Sequence, residues 1–503
     1  IDDIFDEELW RAHQMSRTRL IRACRKLMVR QYARRNAPKA VMEEAEAALG
    51  HPIEVISGIE EARLIYQGVY HSMPPYDGMR LVMDIGGGST ELILGQGNKP
   101  RALESTHMGC VSMTERFFPG GKITREGFQK ARTAAQLELR PVKAFFRGSE
   151  GVEAIGTSGT ILSTEQVAYQ LGVIESHDLT LEAVEALIER VLEFDNVDQL
   201  DIRGLSERRS QVWPGGLSIL AELLNVLRID VLRVSDGALR EGLLYDILGR
   251  LQHKDARKRT VQAMAARYHV DSAQADRVRA TAKMLLDQCK EAWGLDFSLA
   301  RKALLWAARL HEIGLDISHD GFQRHGAYIA ENADMPGFPR AEQRLLAFLI
   351  SSQRHSLDTR YLAELPNAWR DTALRLAMLL RLAVLLSRSR GQGDLPRIAL
   401  RVQDNSLDLG FESGWLEANP LAAADLEREH EYLKAIGYDL SWQKEFLDEA
   451  LEHGGQFELP AEAGGVETPV PHASEANTYD VIVVGGGSAG IAVASSLLRR
   501  RPQ

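Results

Sequence analysis

Two acids, Asp84 and Glu91, bracket the run Ile85-Gly86-Gly87-Gly88-Ser89-Thr90 between two apolar stretches. Consecutive glycines let a backbone turn sharply and let N–H groups approach an anion closely. The pattern reads as a hairpin whose tip, Gly86–Ser89, is a phosphate loop with a carboxylate on each side of its mouth. Mg²⁺ takes few carboxylates together with waters and phosphate oxygens. Asp84 and Glu91 are therefore the candidate metal acids, for Mg²⁺ or another divalent cation.

Three strand-to-helix turns share this style. In Ser57-Gly58-Ile59-Glu60-Glu61, Ser57 and Glu60 have capping-box spacing, which assigns Glu60 to backbone donors at the helix start. Glu61, one residue on, is then the carboxylate left to activate water, although taken alone it reads more commonly as a solvated first-turn acid. Gly156-Thr157-Ser158-Gly159-Thr160 leads from a strand into a helix, where N–H groups bind phosphate, so Thr157, Ser158 and Gly159 are candidate phosphate contacts. In Ser235-Asp236-Gly237-Ala238-Leu239-Arg240, Asp236 is placed to cap a helix and Arg240 to reach a phosphate. Each turn alone is an ordinary helix start; several in one region point to phosphate chemistry.

The positioning elements follow from the apolar pattern. Strands are expected at Ile53–Ile56, Leu81–Asp84, Glu91–Leu94, Val152–Ile155 and Val231–Val234, with helices such as Arg125–Ala144 and Leu181–Phe194 between them, an α/β arrangement. Helical periodicity dominates 251–390. Strand–strand–helix–strand returns at Ile398–Val402, Leu407–Phe411, Ala422–Ala435 and Tyr438–Trp442. The expected domains are 1–80, 81–250, an all-α domain at 251–390 and a small α/β domain at 391–459. Residues 460–478 read as a linker and 479–503 as a β-α fragment.

The 503 residues carry a formal charge of −10, which disfavours a general nucleic-acid binder and requires local cationic patches for any polyanion. Three scattered cysteines, Cys24, Cys110 and Cys289, give neither a disulfide framework nor a zinc pattern. A cytoplasmic location is expected, with peripheral association at the inner membrane as an alternative. Leu374–Leu386 is apolar but broken by Arg375 and Arg381, as in a buried helix. The segment from Arg17 to Arg35 is strongly basic and reads either as a solvated helix or as a polyanion contact.

The runs IEVISGIEEARLIYQGV, LVMDIGGGSTELILG, HMGCVSMTERFFPGG, IGTSGTILST and VSDGALREGLLYDILGR, in this order, resemble the motifs of the exopolyphosphatase / guanosine pentaphosphate phosphatase family. The resemblance runs from about residue 36 to 447 and is closer to the exopolyphosphatase branch. It implies an actin-like nucleotidase fold followed by an HD-like helical domain, with a homodimer as the expected assembly. It also implies Glu61 as base, Asp84 and Glu91 as Mg²⁺-linked acids and Gly86–Ser89 as phosphate loop. The expected activity is release of orthophosphate from the ends of inorganic polyphosphate. The alternatives are guanosine pentaphosphate (pppGpp) 5′-hydrolysis, an impaired or non-catalytic polyphosphate-binding protein, and, less favoured, a kinase. Two departures stand out. The family's first strand and phosphate loop, of the type D-L-G-S-N-S, have no counterpart before Ile53, and a family arginine preceding Asn36 has three competing candidates, Arg30, Arg34 and Arg35. In the helical domain, Glu312 in Leu310-His311-Glu312 stands where HD enzymes carry Asp. His311, His319 and His325 are accordingly read as part of a metal-free helical domain. Tyr479–Gly490 contains G-x-G-x-x-G at Gly485, Gly487 and Gly490 and resembles the opening of an FAD-dependent oxidoreductase. It stops before the unit could enclose a dinucleotide, so no FAD is expected and the tail reads as dispensable.

Overall fold

A computed structural model describes residues 53–146, 151–251, 255–357, 359–388, 397–443, 481–484 and 491–494. The basic segment Arg17–Arg35, the region before Ile53 in which a first phosphate loop was sought, the linker 460–478 and the glycines Gly485, Gly487 and Gly490 fall outside these residues. The chain divides into two compact units, one holding the residues up to Ala256 together with those from Asn477 onward, the other spanning 257–476.

The first unit is built on a five-stranded sheet of β2 (Met79–Ile85), β3 (Thr90–Gln96), β4 (Lys99–Thr106), β5 (Val152–Thr157) and β6 (Leu232–Val234), ordered β4-β3-β2-β5-β6. β2, β3 and β4 form an antiparallel meander, while β5 and β6 run parallel to β2. β4 was not anticipated, because Pro100, Arg101 and Glu104 interrupt its apolar pattern. β2 is apolar on both faces because both are covered. Leu81, Met83 and Ile85 join a core with α2 (Cys110–Phe117), α3 (Arg125–Leu139), α5 (Leu181–Val191) and α7 (Trp213–Leu227). Val82, with Ile93 of β3 and Ile155 of β5, packs instead on α1 (Gly58–Ser72) and α8 (Leu239–Leu251). Side chains alternate along a strand, so Asp84 follows Val82 onto the α1 face. That alternation puts the acid on the same side of the sheet as Glu61. The remaining helices used below are α4 (Ser158–Gln170) and the single turn α6 (Glu207–Ser210).

A second, smaller sheet in this unit has the order β1-β10-β11, with β1 at Ile53–Val55, β10 at Val481–Val484 and β11 at Ile491–Ala494. β10 lies parallel to β1, with Val55 opposite Val484, and β11 returns antiparallel to β10. The tail therefore continues as a strand where a helix was expected after the glycines.

The second unit packs helices α9 (Ala256–Arg267), α10 (Ser272–Cys289), α11 (Ser298–Leu310), α12 (Phe322–Asn332), α13 (Arg340–Ser351) and α14 (Arg370–Leu386). It also contains β7 (Ile398–Gln403), β8 (Ser406–Phe411), α15 (Pro420–Lys434) and β9 (Asp439–Gln443). The sheet is not a separate small domain as expected: Leu400, Leu407, Leu409, Phe411 and Leu433 share one core with Leu376, Leu379 and Leu380 of α14. α14 is buried as anticipated, its Arg381 paired with Glu429 and donating to the Ser352 carbonyl. His311 is also buried, its Nδ1 2.8 Å from the Ala308 carbonyl. No helix among the described residues is long and apolar enough to cross a membrane.

Candidate active site

Asp84 and Glu91 are cross-strand partners at the end of the β2–β3 ladder, one pair before the glycine turn. The turn is closed by the Gly86 N–H donating to the Ser89 carbonyl at 2.9 Å. The Gly86 carbonyl accepts from the N–H of Cys110 and the Gly87 carbonyl from those of Val111 and Ser112. A trans peptide directs its N–H opposite to its carbonyl. Because these carbonyls serve the start of α2, the N–H groups of Gly87 and Gly88 are turned away from that helix. Gly109 makes this contact possible, since a Cβ there would sit 2.2 Å from the Gly88 nitrogen.

Glu61 reaches the same place from α1. Ser57 caps this helix by accepting from the Glu60 N–H. The Glu60 carboxylate, however, is held by Arg63, which donates Nε and Nη2 to its two oxygens at 2.8 Å each. The capping-box reading of Glu60 is thus replaced by a buried ion pair, because a guanidinium three residues on offers a charged partner for a carboxylate out of water. A Cβ on Gly58 would lie 2.4 Å from Ser105 Oγ, and Ser105 Oγ donates to Glu91 at 2.8 Å. Through this contact the first turn of α1 is packed beside Glu91.

Glu61, Asp84 and Glu91 are each at most 5% exposed. Burial first, and then the Glu61 charge, push Asp84 up to about 7, against the opposing pull of Arg209. Burial, Glu61 and Asp84 together hold Glu91 well above the usual carboxylate range, despite the Ser105 hydrogen bond. Three acids facing one another out of water constitute a site short of positive charge, which fits a cation. Among the described residues no group of three or more acid, histidine or cysteine side chains is placed to hold a metal ion. Asp84 and Glu91 could supply the one or two carboxylates that Mg²⁺ takes beside water and phosphate oxygens.

The opposite wall is the turn between β5 and α4. Ser158 sits at φ +88°, where L residues are strained, and its buried hydroxyl has no partner among the described residues. Strain of this kind persists only where surrounding structure enforces it. The Thr157 hydroxyl does not face a ligand; it donates to the Gly237 carbonyl at 3.0 Å. Gly159 packs under the guanidinium of Arg209 from α6. Arg209 is half-buried, and no carboxylate among the described residues pairs with it. Burial lowers its pKa, with Arg208 adding to the effect, while the Cys110 and Asp84 charges oppose the shift. A half-buried guanidinium facing a helix start suits a phosphate oxygen. Sequence reading missed it because Arg208-Arg209 lies in a stretch without periodicity.

The third turn is brought near, but not as expected. Asp236 is exposed, and the Ala238 N–H is capped by Glu241 Oε2 at 2.9 Å. Arg240 is exposed and donates Nε to Glu241 at 2.7 Å.

Residues 25–251 match the model of the Ppx/GppA phosphatase family, and residues 256–430 match domain III of Ppx/GppA phosphatases. Over 397 residues the chain is 38% identical to the guanosine-5′-triphosphate,3′-diphosphate pyrophosphatase of Aeromonas hydrophila, covering 79% of each. It is 39% identical over 402 residues to the protein of the same name from Vibrio cholerae serotype O1, again covering 79% of each. Among solved structures, the Aquifex aeolicus Ppx/GppA family member matches 47% of this chain and 83% of its own at 25% identity and a TM-score of 0.37.

Proposed function

Because this chain belongs to the Ppx/GppA phosphatase family, we propose that it hydrolyses the terminal phosphoanhydride of guanosine 5′-triphosphate 3′-diphosphate (pppGpp). The observation that supports the reading is the meeting of Glu61, Asp84 and Glu91, from three different elements, within electrostatic reach of one another and, for Asp84, of Arg209. Sequence reading put inorganic polyphosphate first; the identity to two proteins named for the guanosine substrate reverses that order.

In this scheme Glu61 takes the proton of a water molecule as its oxygen attacks the terminal phosphorus. The bond from that phosphorus to the bridging oxygen breaks, leaving orthophosphate and a guanosine tetraphosphate. Charge on the transferring group is met by Arg209, by the N-terminus of α4 and by the N–H groups of Gly87 and Gly88. Asp84 and Glu91 would hold a Mg²⁺ ion, which when bound supplies Lewis-acid stabilisation of phosphate oxygens.

Phosphate release from pppGpp and from long-chain polyphosphate, measured at matched terminal-phosphate concentrations with Mg²⁺, tests the proposal. A higher kcat/KM for pppGpp supports it. Preference for polyphosphate would restore the other order, and absence of release from both would remove the hydrolase reading.

A further inference from the structure

α1 and α8 cross at two glycines. A Cβ on Gly68 would lie 1.9 Å from the Ala238 carbonyl oxygen, and one on Gly242 would lie 1.7 Å from that of Leu64. Backbones this close act as a pivot, and the apolar packing of Leu64, Ile65 and Val69 on the sheet is non-directional, so directional bonds set the fine angle of roll. Near the Glu61 end of α1, one side chain spans the crossing. Arg63, 8% exposed, takes both Glu60 oxygens and donates Nη2 to Asp246 Oδ1 of α8 at 2.6 Å. α8 is in turn fixed to the phosphate wall: Ser235 N–H donates to the Gly156 carbonyl at 2.9 Å, and Thr157 Oγ1 to the Gly237 carbonyl at 3.0 Å.

The geometry points to Arg63 as a positioning residue that sets the roll of α1, and with it the aim of Glu61, through its bond to Asp246. The inference rests on Glu61 being the base of the proposed reaction. Successive helical residues are about 100° apart, so Glu60 and Arg63 share the face toward α8 while Glu61 projects toward β3. A side-chain tip lies about 6 Å from the helix axis. A roll of roughly 10° therefore carries the Glu61 carboxylate about 1 Å, a misplacement that can cost about a hundredfold in rate. A further contact between these helices, the His71–Tyr245 ring stack with centroids 3.8 Å apart, lies at the end of α1 far from Glu61.

Asp246→Asn tests the inference while leaving Arg63 its bidentate pair with Glu60. The expected result is a kcat about 10- to 100-fold lower with KM within about twofold, the signature of an interaction needed in the transition state. Asp246→Glu should recover part of the loss. An unchanged kcat, or a KM rise with kcat intact, overturns it. If Asp246→Asn does not fold, Arg63→Lys gives the same reading, since Lys keeps the charge but loses the two-pronged geometry. Crystal structures of the wild type and the variant separate this inference from the functional one. The Glu61 carboxylate should move by about 1 Å relative to Asp84, and an unmoved carboxylate refutes positioning whatever substrate the wild type hydrolyses.

Discussion

The guanidinium of Arg209 lies so close over Gly159 that a Cβ on the glycine would sit 1.6 Å from its Nη2. The obstructing atom is the far end of a flexible side chain, so Gly159→Ala should be accommodated by moving Arg209 rather than the backbone. The variant should keep its melting temperature within a few degrees while kcat/KM falls by about 10² to 10³, the usual cost of one lost oxyanion donor. Arg209→Ala should show a similar loss, and the double variant little more than either alone. Additive losses in steady-state assays would show that the two residues act separately.

Glu61→Gln preserves size and removes the base. Phosphate release should fall by roughly two to four orders of magnitude, with substrate affinity nearly unchanged. Single-turnover rates and equilibrium binding together check this. A parental rate would reduce Glu61 to a helix-start acid.

Asp84 gives a pH-dependent stability with a definite sign. Its carboxyl titrates near 7 in the folded chain against an ordinary 3.8. Between those values the folded state holds a proton that the unfolded state has released, so Asp84 favours folding least above pH 7. Asp84→Asn should therefore raise the metal-free melting temperature more at pH 8 than at pH 5, while abolishing turnover. Added Mg²⁺ should stabilise the wild type more at pH 8 than at pH 5, because protons compete for the same oxygens. Equal shifts at both pH values in scanning calorimetry would contradict the assignment.

Removal of residues 477–503 is no longer expected to be silent. It takes away β10, the strand hydrogen-bonded to β1, and β1 leads directly into the turn that carries Glu61. Amide exchange at 53–55 should accelerate and the melting temperature should drop by a few degrees. Unchanged protection in exchange mass spectrometry would show that β1 needs no such neighbour.

The actin-like α/β unit and the helical unit after it were legible because their signals are local. Asp84, the three glycines and Glu91 form one continuous phrase, and period-two alternation put both acids on one face of the sheet. What escaped depended on distance. Glu60 obeys a capping rule in sequence, yet its carboxylate found Arg63 once both were buried together with Asp246 of a remote helix. Arg209 has no signal of its own; its meaning comes from lying over Gly159. Nothing in the sequence pattern showed that Arg240, expected at a phosphate, pairs with its neighbour Glu241. The small sheet β7–β9 looked independent because nothing in its pattern shows that its apolar face closes the helical core.

The pairing of β1 with β10 joins strands from opposite ends of the chain. Each doubling of an intervening loop adds only about 0.6 kcal/mol to closure, so the cost at equilibrium is modest. Kinetics weigh it differently, since rates fall as contacts become more distant in sequence. The helical unit can collapse on its own neighbours as soon as it is synthesised, whereas the strand that introduces Glu61 must wait for the tail. Hydrolytic competence should accordingly appear in a refolding time course after the bulk of the helical signal has returned.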